Sequence, residues 1–361
     1  MLDFNADMAR RSRAPVVVFD LGGTRFRAAV LDENDEIVRL RETPSIGRRN
    51  RVAPVPELQR QMLDHILETG KDLCANAGVR SVAVSIGAAV NHVTGRVVGS
   101  APLWGSELCD FDLEGCLRRA CPHLRWTVLN DVTALATDLL TESTAGDFVA
   151  AVTVSSGIAY RAIDLRTGAI PVDPDNGLQG EIGHLPAEAF WRGRRLDARC
   201  DCGALRHVAS FSSGPGIHRL LCDDPELAAL TSDWADTAAP ETDLLDAFCR
   251  RVHAGDPVAQ QVLDTATRPL AQVLLYQATL NPQVAQTVLS GGVVAAFGSA
   301  YLDSVLRNLE LLGLYAVSGQ DADYFRRRVR LGRLDGLSAL RGAGLRARGM
   351  ELETEEDNRQ W

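Results

Sequence analysis

The residues with the clearest chemical potential follow a short apolar run near the start of the sequence. This run, Val16–Phe19, predicts a buried strand and leads into Asp20, Gly22, Gly23 and Thr24. Paired glycines let a backbone approach an anion and point N–H groups at its oxygens, and the threonine adds a hydroxyl donor. The aspartate suits Mg²⁺, a hard cation that prefers oxygen ligands. The pattern predicts a phosphate-binding turn; a plain β-hairpin turn is the alternative, and the two are compatible.

A second carboxylate follows another predicted strand. Trp126–Leu129 is apolar, Asn130 and Asp131 come next, and Thr133–Leu140 predicts a helix. In an open α/β sheet, the carboxyl ends of the strands face the ligand cleft. Asp131 is therefore a candidate general base that accepts the proton of a substrate hydroxyl as this hydroxyl attacks a phosphate. The alternative is that Asp131 only caps the amino end of the helix.

A third set combines histidine and cysteine side chains. His184 ends the run Gly-Glu-Ile-Gly-His, and Cys200, Cys202 and His207 follow it. Zn²⁺ accepts sulfur and nitrogen ligands together, and four protein ligands give a closed, structural site. A Cys-x-Cys pair is less diagnostic than two Cys-x-x-Cys pairs, so two buried thiols beside a surface histidine are the alternative.

Lysine is almost absent, and this narrows the chemistry. Lys71 is the single lysine, and it lies in a polar stretch that predicts a solvated helix. Neither the P-loop pattern Gly-x-x-x-x-Gly-Lys-Ser/Thr nor the Val-Ala-Ile-Lys and His-Arg-Asp patterns of protein kinases occurs. Any phosphoryl transfer by this chain must therefore rest on carboxylates, Mg²⁺ and backbone N–H groups.

Composition sets the class of protein. The chain has 361 residues, enough for two domains, and its 46% hydrophobic residues are typical of a globular protein. The net charge is -9 and no basic stripe is present, which argues against a nucleic-acid partner. No apolar run is long enough for a membrane helix, and the first residues lack the pattern of a signal peptide. The eight cysteines are scattered, so we expect reduced thiols in a cytoplasmic protein.

Strand–turn–strand patterns occur twice and indicate two similar α/β halves. The first lies within residues 15–42, and the second pairs Val149–Val154 with Tyr160–Ile163. Val55–Ala77 has the apolar spacing of an amphipathic helix. The sequence predicts a flexible arm (1–14), an N-terminal α/β domain (15–129), a C-terminal α/β domain (130–346) and a polar tail (347–361). Within the C-terminal domain we expect a loop-rich acidic insertion near 223–245, and we expect its last helices to pack back on the N-terminal domain.

In this order, the motifs resemble those of the ROK family (repressors, open reading frames and sugar kinases) of the actin-like ATPase superfamily. The resemblance covers about Pro15 to Arg346, and it also rests on Ser213-Gly-Pro-Gly216, Asn281-Pro282 and Ser290-Gly-Gly-Val293. It implies an α/β fold of two domains, of the ribonuclease H-like kind, around a cleft that binds ATP, Mg²⁺ and a small polyol. A homodimer is implied as well.

The resemblance also implies a role for each matching residue. Asp131 would be the catalytic base, and Asn130, Glu181 and His184 would hold substrate hydroxyls. The phosphates and Mg²⁺ would be bound by Asp20, Gly22, Gly23, Thr24, Ser156 and Gly157. The adenosine would lie along Gly291 and Gly292. A structural Zn²⁺ would be held by His184, Cys200, Cys202 and His207. Without the resemblance, Gly291 and Gly292 are equally consistent with a turn that serves only packing.

The sequence departs from the family pattern at several positions. Residues 155–161 replace a glycine-rich second phosphate turn, and Tyr160 and Arg161 stand there in place of small residues. His207 replaces a third cysteine, and the segment that precedes Cys200 is longer than usual. Ala209 stands where the family usually has a glutamate that contacts the sugar near its anomeric end. A Pro-Gly pair of the sugar-facing loop is replaced by residues 87–88.

The missing glutamate predicts an acceptor without an ordinary anomeric hydroxyl. A kinase of seven-carbon cyclitols, which serve pseudosugar biosynthesis, fits this and would phosphorylate a primary hydroxyl with ATP. A glucokinase or amino-sugar kinase of the same family is one alternative, and a non-catalytic sugar-sensing protein is another. About fifteen residues precede the first motif, too few for the helix-turn-helix of a ROK repressor.

Overall fold

A computed structural model describes residues 14–48, 50–75, 78–141, 148–234 and 244–357. Most of the predicted arm, the centre of the predicted acidic insertion and the end of the predicted tail lie outside these ranges. All eight cysteines lie within them and form no disulfide with one another. No helix in the described ranges is long and apolar enough to cross a bilayer.

The secondary structure alternates between strands and helices. The strands are β1 (Val16–Leu21), β2 (Arg25–Leu31), β3 (Ile37–Pro44), β4 (Ser81–Ile86), β5 (Ala89–Val90), β6 (Val97–Gly99), β7 (Leu108–Phe111), β8 (Arg125–Asn130), β9 (Phe148–Val154), β10 (Ile158–Asp164), β11 (Phe190–Trp191), β12 (Arg194–Arg195), β13 (Val284–Ser290) and β14 (Val329–Leu331). The α-helices are α1 (Val55–Cys74), α2 (Ala101–Trp104), α3 (Leu113–Ala120), α4 (Asp131–Asp138), α5 (Val208–Ser212), α6 (Gly214–Asp223), α7 (Pro225–Thr231), α8 (Leu244–His253), α9 (Pro257–Leu280), α10 (Gly292–Phe297), α11 (Ser299–Leu312), α12 (Tyr324–Arg328) and α13 (Ser338–Asp357). Short 3₁₀ turns cover Leu139–Thr141 and Ile182–His184.

The first of two compact units comprises residues 1–151, 161–179 and 337–361. It contains a five-stranded sheet with the order β3-β2-β1-β4-β8. β1 and β2 form an antiparallel hairpin, whereas β4 runs parallel to β1 and to β8. Leu21 lies opposite Ile86, and Ile86 lies opposite Asn130. The carboxyl ends of β1, β4 and β8 therefore meet at one edge of the sheet.

Helices cover both faces of this sheet, which explains why β1 is a continuous apolar run rather than an alternating one. Phe19 and Leu21 pack in a cluster with α1, whereas Val16 and Val18 pack in a second cluster with α13. The predicted apolar stripe of α1 is confirmed by its buried side chains Leu58, Met62, Ile66 and Leu73. The alternation along β1 thus assigns successive side chains to two separate cores.

α13 brings the last part of the chain back to the first unit and packs directly on α4. Gly342 marks the closest approach, since a Cβ there would lie 1.7 Å from the carbonyl oxygen of Ala134. A buried ion pair joins the same two helices, with 3.3 Å between Nε of Arg341 and Oδ1 of Asp138. The contact between these helices therefore involves the backbone itself.

The second unit comprises residues 152–160 and 180–336. The turn end of the β9–β10 hairpin belongs to this unit, and the sheet that contains the hairpin has the order β10-β9-β13-β14. β13 and β14 are parallel, with Val288 opposite Arg330. Behind the sheet, α9 and α11 are joined by a polar contact in which Oγ of Ser304 donates to Asp264 at 2.6 Å.

We expected residues 223–245 to be rich in loops, and this prediction is wrong for the part of the segment that the structure describes. Residues 225–231 form α7, because Asp224 accepts hydrogen bonds from the backbone of Glu226 and Leu227 at 3.2 Å and Pro225 begins the helix. α13 extends to Asp357, so residues 347–357 of the predicted tail are helical.

We expect Gly342→Ala to lower the free energy of unfolding by about 3 kcal/mol, the upper end of the usual cost of overpacking, because the methyl group would meet backbone. Gly349→Ala is the matched control on α13, since a Cβ there would have nothing within 4 Å. The control should be neutral or stabilising by up to about 1 kcal/mol. Urea denaturation measures both changes, and equal stability of the two variants would contradict the packing of α13 on α4.

Candidate functional site

The turn between β1 and β2 carries the first predicted site residues. The N–H of Gly22 donates to the carbonyl of Arg25 at 3.1 Å, which closes the turn. A Cβ on Gly22 would lie 3.3 Å from the same oxygen, so a side chain would crowd it. Gly23 is buried and Thr24 is exposed. The stretch is thus a hairpin turn that presents a hydroxyl-bearing residue to solvent.

Asp20 has a cationic partner within its own hairpin. Its side chain is 9% exposed, and Oδ2 accepts a hydrogen bond from Nε of Arg27 at 3.1 Å. The register places Arg27 directly opposite Asp20, so the hairpin itself creates the pair. Oγ of Ser85, on the neighbouring β4, lies 3.5 Å from Oδ1. A buried carboxylate needs such partners, and these leave Oδ1 as the less tightly bound oxygen.

Asn130, not Asp131, is the residue that caps α4. The side-chain oxygen of Asn130 accepts from the N–H groups of Val132 at 2.9 Å and Thr133 at 3.3 Å. Its amide nitrogen donates to the carbonyl of Ala88 at 2.7 Å. Both ends of the amide therefore bind protein atoms. Asp131 is half-buried, and its Oδ1 accepts from the N–H of Val132 at the helix end at 2.9 Å.

The other oxygen of Asp131 lies where the strand ends converge. Gly87 follows β4, and its N–H donates to the carbonyl of Leu21 at 3.0 Å. A Cβ on Gly87 would lie 3.7 Å from Oδ2 of Asp131 and 3.9 Å from Cα of Gly22. Because Gly87 has no side chain, its bare backbone borders Oδ2 at the edge of the sheet where α/β proteins bind their ligands.

In the second unit, the predicted phosphate and adenosine residues gather at the turn of the β9–β10 hairpin. A 2.9 Å hydrogen bond between the backbone groups of Ser155 and Gly157 closes this turn. Gly291 has φ 105° and lies against the end of β9, since a Cβ there would be 2.4 Å from the carbonyl oxygen of Val154. A Cβ on Gly292 would meet nothing within 4 Å. Gly291 thus packs closely against β9, whereas the backbone of Gly292 borders open space.

The Gly-Glu-Ile-Gly-His motif lies flat on β10, and this explains both of its glycines. A Cβ on Gly180 or Gly183 would lie 2.3 Å or 2.5 Å, respectively, from a backbone oxygen of β10. The N–H of Tyr160 donates to the carbonyl of Gly180 at 2.8 Å. Glu181 is half-buried and His184 is exposed. The close contact between the two backbones therefore fixes the positions of Glu181 and His184, the two candidate site residues of this motif.

The structure brings the predicted zinc ligands together. One ligand atom each from His184, Cys200, Cys202 and His207 lies within 4.8 Å of the others. Sγ of Cys200 is 3.6 Å from Nδ1 of His184, and Sγ of Cys202 is 3.3 Å from Nδ1 of His207. Tetrahedral Zn²⁺ with its usual bond lengths separates sulfur and nitrogen by about 3.6 Å. The donor set and its spacing therefore fit this ion.

Backbone hydrogen bonds shape the loop that carries the two thiols. The N–H of Cys200 donates to the carbonyl of Ala204 at 2.8 Å, and that of Gly203 donates to the carbonyl of Cys200 at 2.9 Å. Burial raises the pKa of the Cys200 thiol to about 11. Burial, with His184 as a second cause, lowers the pKa of His207. The imidazole is thus favoured in its neutral, metal-binding form, and the thiol keeps its proton unless a cation displaces it.

The long segment between the first two ligand candidates contains the hairpin β11–β12. Nε1 of Trp191 donates to Oε1 of Glu226 at 2.9 Å, and Arg194 pairs with Asp224 at 2.7 Å. Both carboxylates lie at the amino end of α7. The additional residues thus form a hairpin docked on α7 and leave the thiol loop compact.

Three other departures from the family pattern, at residues 160, 161 and 209, are buried. Tyr160 is 8% and Arg161 is 2% exposed, and both lie in β10 beyond the turn. Nε of Arg161 donates to Oγ1 of Thr133 at 3.2 Å, and burial raises the pKa of Tyr160 to about 12. Ala209 is 7% exposed, and its carbonyl accepts from Oγ of Ser213 at 2.6 Å.

Three residues were not predicted from the sequence: Arg27 and Ser85, which contact Asp20, and Ser100, which contacts the sugar-facing loop. Arg27 follows from hairpin register, because a turn over residues 22–25 puts it opposite Asp20. Ser100 stands before Ala-Pro, a typical signal of a helix cap, and its hydroxyl donates to the carbonyl of Gly87 at 2.6 Å. The position of Ser85 depends on the pairing of β1 with β4, which no local signal reveals.

Comparison with known proteins supports the resemblance stated above. The model of the ROK family matches residues 16–337. A curated protein, the 2-epi-5-epi-valiolone 7-kinase of Actinoplanes sp. strain SE50/110, is 38% identical over 356 residues, with 94% of each chain covered. The predicted membership of the ROK family is confirmed, and so is the predicted similarity to its cyclitol kinases.

Solved structures share the fold. A ROK family glucokinase from Streptomyces griseus, in complex with glucose and AMPPNP, has a TM-score of 0.71 at 18% identity and covers 93% of this chain and 99% of its own. A ROK hexokinase from Thermus thermophilus has a TM-score of 0.64 at 21% identity and covers 95% of this chain and 99% of its own. At these identities the likeness concerns the fold alone, and it confirms the predicted α/β fold.

We expect Asn130→Ala to destabilise the protein far more than Asp131→Asn does. Loss of the cap costs about 1 kcal/mol, and the Ala88 carbonyl left without its donor costs about 1–3 kcal/mol more. Asp131→Asn keeps a side-chain oxygen for Val132 and should cost less than about 1 kcal/mol. Chemical denaturation of both variants gives the difference. A greater loss for Asp131→Asn would show that the cap is wrongly assigned.

Proposed function

Since the chain belongs to the ROK family, we propose that it is an ATP-dependent kinase that phosphorylates a primary hydroxyl of a sugar-like polyol, with a seven-carbon cyclitol as the favoured acceptor. The family is given by the match over residues 16–337 and by the 38% identity to a cyclitol kinase. The observation that carries the proposed chemistry is the carboxylate of Asp131, whose Oδ2 lies beside the bare backbone of Gly87 where the strand ends meet.

Asp131 would act as the general base. As the acceptor oxygen attacks the γ-phosphorus of ATP, a new P–O bond forms and the bond from this phosphorus to the bridging oxygen breaks. The acceptor proton passes to Oδ2 of Asp131, and the electron pair of the broken bond leaves with ADP. The hydrogen bond from Val132 to Oδ1, 2.9 Å long, would hold the carboxylate so that its other oxygen takes the proton.

The turns at residues 22–24 and 155–157 would offer backbone N–H and hydroxyl donors to the phosphates of ATP, and the bare backbone of Gly291 and Gly292 would lie along the adenosine. Mg²⁺ would neutralise the charge that develops on the phosphate oxygens. Asp20 fits this ion through water only, because Oδ2 already accepts from Arg27 at 3.1 Å. Oδ1 is the oxygen left to face a metal-bound water.

The acceptor class rests on Ala209 and on the relative. A methyl group stands in α5 where a glutamate would accept a hydrogen bond from an anomeric hydroxyl. A carbocycle without that hydroxyl would leave such a glutamate unpaired, so its absence favours a carbocyclic acceptor. The relative is named as a kinase that acts at position 7 of 2-epi-5-epi-valiolone. Asn130, Glu181 and His184 would contact ring hydroxyls directly or through the backbone they support.

We expect a carbocyclic polyol with a hydroxymethyl group to exceed glucose as an acceptor by about 10²-fold or more in kcat/KM, since sites built for particular hydroxyls reject analogues strongly. ADP release with hexoses, N-acetylated hexosamines and cyclitols measures this ratio. Ala209→Glu should shift the preference toward hexoses. Ala229→Glu, at an exposed position on α7, is the matched control and should leave it unchanged.

Two other outcomes of the same assay have distinct meanings. Efficient phosphorylation of glucose or an amino sugar, without activity on cyclitols, would overturn the acceptor and leave a ROK kinase of another substrate. No ATP-dependent transfer to any polyol, together with sugar binding, would favour a non-catalytic sugar-sensing protein.

We further propose that His184, Cys200, Cys202 and His207 hold a structural Zn²⁺. Two sulfur and two nitrogen donors within 4.8 Å of one another support this. The bound ion would join the 3₁₀ turn that follows Glu181 to the thiol loop and to the start of α5. It would thereby stiffen the backbone that presents Glu181 and the exposed ring of His184.

Protein purified without chelators should contain about one Zn²⁺ per chain. Cys202→Ser should lose the metal, thermal stability and acceptor affinity together, because metal binding and folding of the loop are coupled. Cys222→Ser is the matched control, since this exposed thiol lies outside the cluster. Mass spectrometry of the metal content decides the matter. A wild-type content near zero, or a full content in Cys202→Ser, would refute the site.

The family resemblance implies a homodimer, and the scattered cysteines predict a cytoplasmic protein; we include both in the proposal. Equilibrium sedimentation tests the first property, and fractionation of the cells that produce the protein tests the second. A monomer at all concentrations would overturn the dimer and leave the chemistry of the site unaffected.

A further inference from the structure

We propose that Ser100 is a positioning residue of the acceptor site: its hydroxyl fixes the backbone of Gly87 and thereby the distance of that backbone from Oδ2 of Asp131. The inference rests on the proposed function, in which Asp131 is the base. It goes beyond that function because Ser100 lies outside every motif that carries the family resemblance. It touches no reacting atom and would act through the Gly87 peptide alone.

The Ser100 hydroxyl makes two hydrogen bonds in a buried setting. The residue is 3% exposed, and Oγ donates to the carbonyl of Gly87 at 2.6 Å. Oγ also accepts from the N–H of Leu103 at 3.3 Å, which makes Ser100 the cap of α2. A hydroxyl has one donor and two acceptor positions, so one side chain serves both partners.

The position of Ser100 itself is set by the core of the first unit. α2 buries Leu103 and Trp104 completely, and the N–H of Trp104 donates to the carbonyl of Ser100 at 2.7 Å. The pairing of β5 with β6 puts Ala89 opposite Gly99 and so returns the chain from Gly87 to Ser100. The hydroxyl is therefore presented by a packed framework.

The four backbone polar groups of residues 87–88 all have partners. The N–H of Gly87 donates to the carbonyl of Leu21 at 3.0 Å, that of Ala88 donates to the carbonyl of Ile86 at 2.8 Å, and the carbonyl of Ala88 accepts from Asn130 at 2.7 Å. The hydroxyl of Ser100 holds the remaining group, the carbonyl of Gly87. Asn130 and Leu21 act from β8 and β1, so Ser100 supplies the support from outside the parallel strands. Without it, the Gly87 carbonyl loses its donor and the peptide can shift toward Asp131.

A small shift at this position matters for chemistry. A Cβ at Gly87 would lie 3.7 Å from Oδ2 of Asp131, so the peptide borders the place where an acceptor hydroxyl must sit to give up its proton. Misplacement of a reacting group by about 1 Å can cost about 10²-fold in rate. The expected effect therefore falls on the acceptor, whereas ATP, bound by the glycine turns, should be affected little.

Ser100→Ala should lower kcat/KM for the acceptor by about 10-fold to 10²-fold and change KM for ATP by less than about twofold. Ser212→Ala is the matched control, because this buried hydroxyl donates to the carbonyl of Ala266 at the same distance, 2.6 Å. Both variants should lose thermal stability, and only Ser100→Ala should lose acceptor kinetics.

A double-mutant cycle with Gly87→Ala tests the route of the effect. The new methyl group would meet neighbours at 3.6 Å and 3.7 Å, ordinary contacts, so this variant should fold and lose acceptor turnover. If Ser100 acts through Gly87, the double variant should lose much less than the product of the single losses. Multiplicative losses, wild-type acceptor kinetics in Ser100→Ala, or equal losses for acceptor and ATP would overturn the inference. Failure of the proposed function looks different, since wild-type protein would then transfer no phosphoryl group to any polyol.

Discussion

The parallel pairing of β1, β4 and β8 is the constraint on which the candidate site depends. Leu21, Ile86 and Asn130 stand in one row across these strands, so the residues that follow them reach the same edge. The register is unique because both faces of the sheet are buried under different helices. A shift by one residue would exchange the two apolar clusters. Core packing therefore decides where Gly87 and Asp131 meet.

Helix caps connect this scaffold to the chemistry. Asn130 caps α4 and at the same time holds the carbonyl of Ala88, which leaves Asp131 with one oxygen beside Gly87. Ser100 caps α2 and holds Gly87. In the second unit His207, a candidate metal ligand, precedes α5, and its N–H donates to Oγ of Ser210 at 3.0 Å. Asn130 and Ser100 thus each satisfy a helix end and hold the backbone of residues 87–88 with the same side chain.

Much of this arrangement could be predicted because it depends on local signals. Apolar runs that end in glycine or aspartate predicted β1, β8 and the turn at residues 22–24, and the histidine–cysteine spacing predicted a cluster whose ligand atoms do lie together. The order of the motifs predicted the family. The roles of Asp131 and of Glu181 in catalysis and binding stay predictions, since they depend on ligands.

What could not be predicted depends on the choice between nearby polar groups. Asn130 and Asp131 are both good caps by residue type, and only the position of the Ala88 carbonyl, brought in by β4, favours the asparagine. The partner of Ser100 is likewise set by the β5–β6 pairing. α7 was missed because its acidic composition suggested a loop, although Asp224 and Pro225 form a good helix start.

If Oδ2 of Asp131 takes the acceptor proton, the turnover of Asp131→Asn with ATP and the preferred polyol must reveal it. We expect kcat to fall by about 10²–10⁴-fold, as for loss of a general base, with ATP binding retained. Asp64→Asn, which removes a carboxylate whose side chain is 50% exposed on α1, should keep wild-type turnover. Near-normal turnover in folded Asp131→Asn would contradict the claim and leave Asp131 without a catalytic role.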